Sequence, residues 1–277
     1  MSIKFSISLV THFSKLEQVE QTLLHLIKSC QFAFSQGNLF KVEIFLIDNS
    51  VNIDYFKKLS AISNSLNIKF NPLIHIICNQ LDKNIGYGKG HNTVINTINS
   101  NYHLIINPDI DIGKNAINLC ISYIQNNPKI GMITPLAVNG SGEQLYLNKR
   151  YPNVLILLIR GFFPLLLSNY FSKLSHCYEM RDVPLERNES IIISSGCFMF
   201  FRSDDLKRIG GFSEQFFLYF EDFDLTYRFS SMKKIAFLPE VKTIHYGGYS
   251  ASKGIKHIFF FMRSAIIFFN RFGWKLY

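Results

Sequence analysis

Sulfur is scarce in this chain and has no framework. Five cysteines stand in 277 residues, at Cys30, Cys78, Cys120, Cys177 and Cys197, and no two form a C-x-x-C pair. That spacing argues against a zinc knuckle or a disulfide scaffold and fits a reducing compartment. No apolar run reaches the ~18 residues that a spanning helix needs. The stretch VLILLIRGFFPLLL at 154–167 is interrupted by Arg160 and Pro164. The opening MSIKFSISLVTHF lacks the basic start and long apolar core of a cleavable signal and reads as a strand. Repeats and low-complexity linkers are absent, which favours one domain over 1–277. Acidic residues are outnumbered, 20 against 29 basic ones, for a net charge of +9. Such a surface attracts polyanions: nucleic acid, phosphorylated small molecules or an anionic membrane.

Apolar residues are plentiful. A hydrophobic fraction of 48%, with 27 phenylalanines, is ample for a large core and leaves some Phe for lipid or a partner. Along the first half, strand and helix patterns alternate. Strands are expected at 5–10, 42–48, 73–78 and 102–107, and helices at 16–30, roughly 53–66 and 92–99. This rhythm predicts an α/β fold, a mainly parallel sheet with helices on both faces, whose ligands lie beyond the carboxyl ends of the strands. Asp48 and Asp109 fall at such ends. The rhythm breaks at 140–190, which reads as an insertion. It is either a packed helical hairpin or a segment that dips into a membrane or binds an acceptor. Strand character resumes at 189–202, and a helix is expected near 221–231. The closing IKHIFFFMRSAIIFFNRFGWKLY reads as a basic amphipathic helix.

Four motifs carry chemistry. In INPDID (105–111) the proline confines Asn107 to extended geometry, so the bend falls at the strand end and Asp109 follows it. A turn acid of this kind is ordinarily just solvated. Its other reading is a ligand for a hard cation, which prefers oxygen donors and leaves positions open for phosphates. NQLDKNIGYGKGHN (79–92) places glycines at 86, 88 and 90 and matches neither a dinucleotide fingerprint nor a P-loop. It reads as a flexible turn before a helix, or as a loop framing a nucleotide-sugar with Asn84 and Asn92 as hydrogen-bonding residues. FFLYFEDFDLTYR (216–228) crowds Glu221, Asp222 and Asp224 among aromatics. Crowding in a partly apolar site raises carboxylate pKa values and suits a general base. The plainer account is acids meeting a helix N-terminus, with Asp224 pairing Arg228 at i,i+4. HYGGYSASK (245–253) puts His245 at a strand end before a glycine turn, where an imidazole can serve as a metal ligand or be purely structural.

Taken in order and spacing, these elements resemble the family 2 glycosyltransferases, the inverting GT-A type, and within them a bacterial rhamnosyltransferase-like branch. The likeness runs over roughly 5–272. It is sharpest at SSGCFMFFRSDDLKRIGGFSEQFFLYFEDFDLTYR (194–228), with support from LIDNS, KNIGYGKGHN and INPDI. The resemblance implies a nucleotide-sugar-binding half over 1–110, an acceptor and catalytic half over 111–254, and the helix at 255–277. It implies that Thr11, Asp48, Asn84, Gly86 and Asn107 line the nucleotide-sugar. Asp109 would hold a divalent metal, Mg²⁺ or Mn²⁺, with His245 as a further ligand and Ser250 as the family's following serine. Asp222 would be the catalytic base tuned by Glu221, and Gly196 would leave room on the acceptor side. Ser213 departs from the usual Asp after Gly-Gly-Phe, and Asp111 matches no family position and reads as a solvated loop acid.

The implied reaction is a direct displacement that moves a sugar, rhamnose on this likeness, from a dTDP- or UDP-sugar. The acceptor is a saccharide or polyprenyl-linked molecule of bacterial surface polysaccharide synthesis, such as lipopolysaccharide, at the cytoplasmic face of the inner membrane. A transferase of galactofuranose or a hexose is an alternative of the same class. A membrane-surface or nucleic-acid-binding module without catalysis is another, although the acidic cluster would repel a polyanion, no nucleic-acid-binding signature is present and no nucleic-acid partner is expected. For the last helix two readings stand. Ile258, Phe261, Ile266, Phe268 and Phe269 enter a headgroup layer while Lys256, Arg263, Arg271 and Lys275 meet anionic lipid, or the apolar face caps the sheet.

Overall fold

The structure is a computed structural model that describes residues 3–70, 72–162, 171–247 and 254–277. The first strands and helices follow the expected alternation: β1 (Lys4–Thr11), α1 (Leu16–Ser35), β2 (Lys41–Asp48), α2 (Ile53–Lys69), β3 (Ile74–Gln80), α3 (Tyr87–Ile95) and β4 (Tyr102–Ile106). Strands β3, β2, β1 and β4 lie side by side and parallel. Along β1, apolar and small residues alternate. Phe5, Ile7 and Leu9 join the core under α1 and α2, where Val19, Leu23, Leu26 and Leu59 are fully buried. Ser6 and Ser8 point to the other face and meet buried imidazoles. Ser6 Oγ lies 2.7 Å from His103 Nδ1, and Ser8 Oγ lies 2.9 Å from His103 Nε2 and 2.7 Å from His91 Nδ1. Burial holds His103 down to about 3 and His91 well below its ordinary value, so both rings are neutral hydrogen-bonding parts of the core.

The second half inserts into this sheet. After β4 come β5 (Ile110–Ile112), α4 (Ala116–Asn126), β6 (Ile130–Val138), β7 (Gln144–Leu145), β8 (Asn148–Lys149), α5 (Val154–Phe162), α6 (Ser172–Tyr178), β9 (Asn188–Ile191), β10 (Ile193–Ser194) and β11 (Phe198–Arg202). Then follow α7 (Ser203–Arg208), α8 (Glu221–Ser230), β12 (Lys234–His245) and α9 (Ile255–Phe272). Strand β11 lies antiparallel between β4 and β6, β12 runs parallel to β6, and β5 closes the far edge against the end of β12. The sheet is therefore mixed, and parallel over β3, β2, β1 and β4 as expected. Eleven of the 27 phenylalanines are buried among the described residues. Phe198, Phe200, Phe201, Phe212, Phe216 and Phe229 are among the fully buried side chains.

Three expectations change. Helix α3 begins at Tyr87, not 92, so Gly88 and Gly90 are helical. Their hydrogens face Phe212 and Val10, and a Cβ at either would come within 2.9 Å of those side chains. The stretch at 189–202, read as a strand or hairpin, is three short strands, β9, β10 and β11, broken at 192 and at 195–197. The last helix divides its apolar residues between two surroundings. Phe268 and Phe269 are core against Phe220 and Tyr151, and Phe261 is partly buried, so these three are not free to enter lipid. Arg271 is not free either, because it donates to Asp224 Oδ1 at 2.8 Å. Ile258 and Ile266 remain exposed. The 140–190 insertion supplies α5 and α6, which pack with α9 in one aromatic-rich cluster; Pro164 lies outside the described residues. Among the described residues, no helix is long and apolar enough to cross a membrane.

Candidate active site

The carboxyl ends of the strands set the site. Parallel register places Thr11, Asp48 and Gln80 in one row. Asp48 is fully buried. Its Oδ1 accepts from the Ser50 N–H at 2.9 Å and its Oδ2 from Gln80 Nε2 at 3.1 Å. Its present work is to hold the turn after β2, and each oxygen keeps a lone pair for a further donor. Asn49, next in sequence, donates to the Gly86 carbonyl at 3.1 Å and accepts from the Ile85 N–H at 2.9 Å. The glycine loop is thus tied to β2. Asn84 accepts from the Gly86 N–H at 3.0 Å, an intraloop bond. Gly86 has φ +88°, and a Cβ there would overlap the Phe217 carbonyl, so only glycine fits. Asn92 is not available to a ligand, because it is buried and hydrogen-bonds both ways with the Phe212 backbone, fixing the Gly-Gly-Phe turn.

At the end of β4 the chain leaves the sheet. The Asn107 N–H donates to the Cys197 carbonyl at 3.0 Å, and Asp109 emerges opposite the end of β12. His245 Nε2 lies 3.4 Å from Asp109 Oδ1, and the Tyr246 N–H donates to the Asp109 carbonyl at 3.1 Å. Asp109 Oδ1 is buried without a hydrogen-bond partner. Gly247 gives the carboxylate its room, since a Cβ there would overlap Asp109 Oδ2. An orphaned carboxylate oxygen, an imidazole beside it and a glycine cradle fit a divalent cation with further positions left to phosphates. Ser250 lies outside the described residues. Asp111 is not a solvated loop acid. It is buried on β5, where its Oδ2 accepts from the Tyr246 hydroxyl at 3.1 Å. It borders an open groove of about 970 Å³ between α1 and β12, which also includes Lys28, Lys114 and Lys242 but neither Asp109 nor Asp222.

The acidic segment faces the same turn from α8. Asp222 Oδ2 accepts from the Gly196 N–H at 2.8 Å, and its Oδ1 from the Phe223 N–H at 2.9 Å. The Gly196 carbonyl accepts from Tyr87 at 2.8 Å, and a Cβ on Gly196 would press on Asp222 Cβ at 3.2 Å. One run of bonds therefore joins α3, the 195–197 turn, Asp222 and the end of β4. The segment before α8 holds two residues in the left-handed region, Tyr219 (φ 69°) and Phe220 (φ 62°). Such conformations cost about 1–3 kcal/mol each and persist only when packing enforces them. Here Phe220 is buried among Phe223, Phe261 and Phe268, and the Tyr219 hydroxyl lies 2.8 Å from His257 Nδ1 on α9. Asp224 is structural, as its spacing suggested: it is fully buried between Arg228 and Arg271.

Glu221 and Asp222 share a charge unequally. Burial, and then the Asp222 carboxylate beside it, push Glu221 up to about 8, and its Oε2 is buried without a hydrogen-bond partner. Burial raises Asp222 too, but the N–H groups of Gly196 and Phe223 oppose the rise by favouring its charged form. The two carboxyls titrate as a pair, with the proton favoured on Glu221 and the charge favoured on Asp222, where the two N–H donors stabilise it. The composition of 216–228 predicted raised carboxylates. It gave no sign of Tyr87 or of the buried His91–Ser8–His103 set. Tyr87 was legible only as a residue of the glycine loop, and the imidazoles gave no signal apart from two serines on alternate positions of an apolar strand.

The fold is that of the GT-A glycosyltransferases. It is similar to a mannosyltransferase from Pyrobaculum calidifontis solved with GDP-Man and Mn²⁺ (TM-score 0.60, 13% identity, covering 91% of this chain and 60% of that one). It is also similar to GalNAc-T7 solved with UDP, GalNAc and Mn²⁺ (TM-score 0.65, 13% identity, 97% and 48%). In sequence the chain resembles the N-acetylglucosaminyl-diphospho-decaprenol L-rhamnosyltransferases of two Mycobacterium tuberculosis strains. Each is 24% identical over 184 residues, which takes in 61% of this chain and 58% of the relative's length. No protein-family profile matches the chain.

The raised Glu221 carboxyl has a measurable consequence. A carboxyl whose folded pKa lies above its ordinary 4.5 stabilises the fold fully below that value and loses the contribution as pH rises toward about 8. A tenfold change in a group's acidity between folded and unfolded chain corresponds to about 1.4 kcal/mol. Glu221→Gln removes the loss, so its melting temperature is expected to exceed wild type by several degrees at pH 8.5 and to match it near pH 4.5. Thermal unfolding at the two pH values measures this. An equal difference at both would show that Glu221 does not titrate in this window.

Proposed function

We propose that this chain is an inverting, metal-dependent glycosyltransferase. It moves a sugar from a nucleotide diphosphate donor, a dTDP- or UDP-sugar, to a saccharide or lipid-linked acceptor. The observation that carries this reading is the continuous bonded turn that sets Asp222 and the Asp109–His245 pair at one end of the sheet. The sequence relatives, which are rhamnosyltransferases with a diphospho-decaprenol acceptor, favour rhamnose and a polyprenyl-linked acceptor. On this proposal the acceptor belongs to surface polysaccharide synthesis and is met at the cytoplasmic face of the inner membrane.

The chemistry follows from named atoms. Asp109 and His245 would hold the divalent cation, which when bound neutralises charge on the departing diphosphate. Thr11, Asp48, Asn84, Gly86 and Asn107 line the strand ends where the nucleotide would lie. Gly196 keeps side-chain bulk away from Asp222, so an acceptor hydroxyl can reach the carboxylate. Asp222 takes the hydroxyl proton as the acceptor oxygen bonds to the anomeric carbon. The bond from that carbon to the phosphate oxygen breaks on the opposite side, and the nucleoside diphosphate leaves with the electron pair. Configuration inverts in one displacement. Protonated Glu221 keeps a second negative charge from Asp222, and the two N–H donors stop it from losing the proton-accepting form.

Membrane contact belongs to the same proposal. Residues 144–178 and 241–277 contain ten of the 29 basic residues and none of the 20 acids, leaving 19 basic against 20 acidic elsewhere. The entire net positive charge thus resides in the segments that supply α5, α6 and α9. Exposed apolar residues lie there too: Phe259 (63% exposed), Ile258 (48%), Ile266 (46%) and Trp274 (53%), with Leu158 of α5 beside them. A face of this composition suits an anionic bilayer surface.

Two outcomes are expected. With a panel of dTDP-, UDP- and GDP-sugars, wild type releases nucleotide in the presence of Mn²⁺ or Mg²⁺ and acceptor. Asp222→Asn lowers transfer by about 10²–10⁴-fold with little change in nucleotide binding; near-wild-type transfer would remove Asp222 from the base role. In vesicle flotation, the protein travels with an equal mixture of phosphatidylglycerol and phosphatidylcholine at low salt, and Ile258→Ser/Phe259→Ser stays behind. Failure of wild type to float would remove the bilayer from the proposal.

A further inference from the structure

Behind Gly196 stands a cluster that the reaction described above does not use. Glu179, buried at the end of α6, receives three cations. Arg160 donates to its Oε1, Lys149 Nζ lies 3.4 Å from the same oxygen, and Arg181 Nε donates to its Oε2 at 2.6 Å. Lys149 and Arg160 also lie over the Tyr178 ring, each at 5.6 Å, and Arg181 lies 4.3 Å from the centre of the Tyr146 ring. Burial pushes Glu179 up, but the cations outweigh it and hold the carboxylate below its ordinary value. The neighbouring Arg150–Asp182 pair is balanced and adds no net charge.

One carboxylate against three cations leaves a surplus of two positive charges. A structural ion pair has no need of this surplus, and like charges held together in partly desolvated surroundings oppose folding. Lys149 registers the strain: burial brings it down to about 8, with Arg160 and Arg181 adding to the fall. The surplus is open to solvent. The side chains of Arg160 and Arg181 are 35% and 38% exposed, while Lys149 and Glu179 are nearly enclosed. An arginine fork with unused donors is suited to phosphate oxygens.

Its place in the fold gives the ligand. Lys149 pairs with Ile193 across the β8–β10 ladder, and Gly196, which donates to Asp222, follows three residues later. Three residues span at most roughly 10 Å, and the turn at 195–197 keeps the separation within that limit. A sugar with its reacting hydroxyl at one end and a diphosphate on its anomeric carbon spans a distance of this order. We propose that Lys149, Arg160 and Arg181 form an anion subsite for the diphosphate of a lipid-diphosphate-linked sugar acceptor, separate from the donor's metal site. Arg160 lies on α5, the helix whose Leu158 belongs to the exposed apolar face, so the same helix serves both regions. The inference rests on the glycosyltransferase reading for its purpose.

The test uses the full chain in two arms. In the first, calorimetry with inorganic pyrophosphate and no metal is expected to show binding to wild type, weakened at least tenfold in Arg181→Gln and partly restored in Arg181→Lys. Arg181 is chosen because its exposure spares the fold. In the second, KM for a lipid-diphosphate-linked acceptor rises at least tenfold in Arg181→Gln, while donor KM and transfer to the same sugar on a neutral alkyl aglycone stay at wild-type values. Equal losses on the charged and neutral acceptors would make the cluster structural and overturn the subsite, as would pyrophosphate binding that Arg181→Gln leaves unchanged. Absence of nucleotide release with any donor would sink the enzyme reading instead, and the metal-free pyrophosphate arm would still decide the anion site.

Discussion

Everything at the site depends on strand β11 entering the sheet antiparallel between β4 and β6. Its fully buried side chains, Phe198 to Phe201, anchor the strand from both faces. The turn before it then has nowhere else to lie than across the end of β4. That places the Cys197 carbonyl on the Asn107 N–H and offers the Gly196 N–H to Asp222. Hydrophobic burial sets the strand, and the strand sets the hydrogen bonds that join the end of β4 to the acidic helix. Asp109 and Asp222 come from segments more than a hundred residues apart and are held in one frame by this insertion.

The acidic helix keeps its charges apart by environment. Asp224 is neutralised by two arginines, the proton is favoured on Glu221, and the charge is favoured on Asp222 by two backbone donors. Three carboxylates in four residues thus end in three states. Helix α9 secures the arrangement through its inner face. Arg271 reaches Asp224, Ser264 donates to the Leu218 carbonyl at 2.8 Å, and Phe268 packs on Phe220. Its outer face keeps the exposed isoleucine and phenylalanine. One helix therefore braces the acidic segment and presents the surface proposed to meet the bilayer.

Much of this was legible in the sequence because the signals are local. Strand ends at Asp48 and Asp109, the Asp224–Arg228 spacing and the crowded 216–228 segment rest on periodicity, proline geometry and charge proximity. What escaped depends on contacts between distant segments. Gly88 and Gly90 read as loop residues because their reason, the approach of Val10 and Phe212 to a helix, is tertiary. Asp111 read as solvated because nothing nearby in sequence announces that β5 pairs with β12, some 130 residues later. The inner residues of α9 read equally as lipid-seeking or as core, because amphipathicity does not say which apolar side chains a core will claim. Asn92 looked like a ligand residue until its partners proved to be the Phe212 backbone.

The central claim is that the end of β4 holds a metal–diphosphate site built on Asp109. Calorimetric titration of a nucleoside diphosphate into wild type and Asp109→Ala, each with and without Mn²⁺, tests it without requiring turnover or a known acceptor. The account predicts affinity that rises with Mn²⁺ in wild type and no longer does so in the variant, at unchanged thermal stability. Metal-enhanced binding of equal strength in both proteins would contradict it.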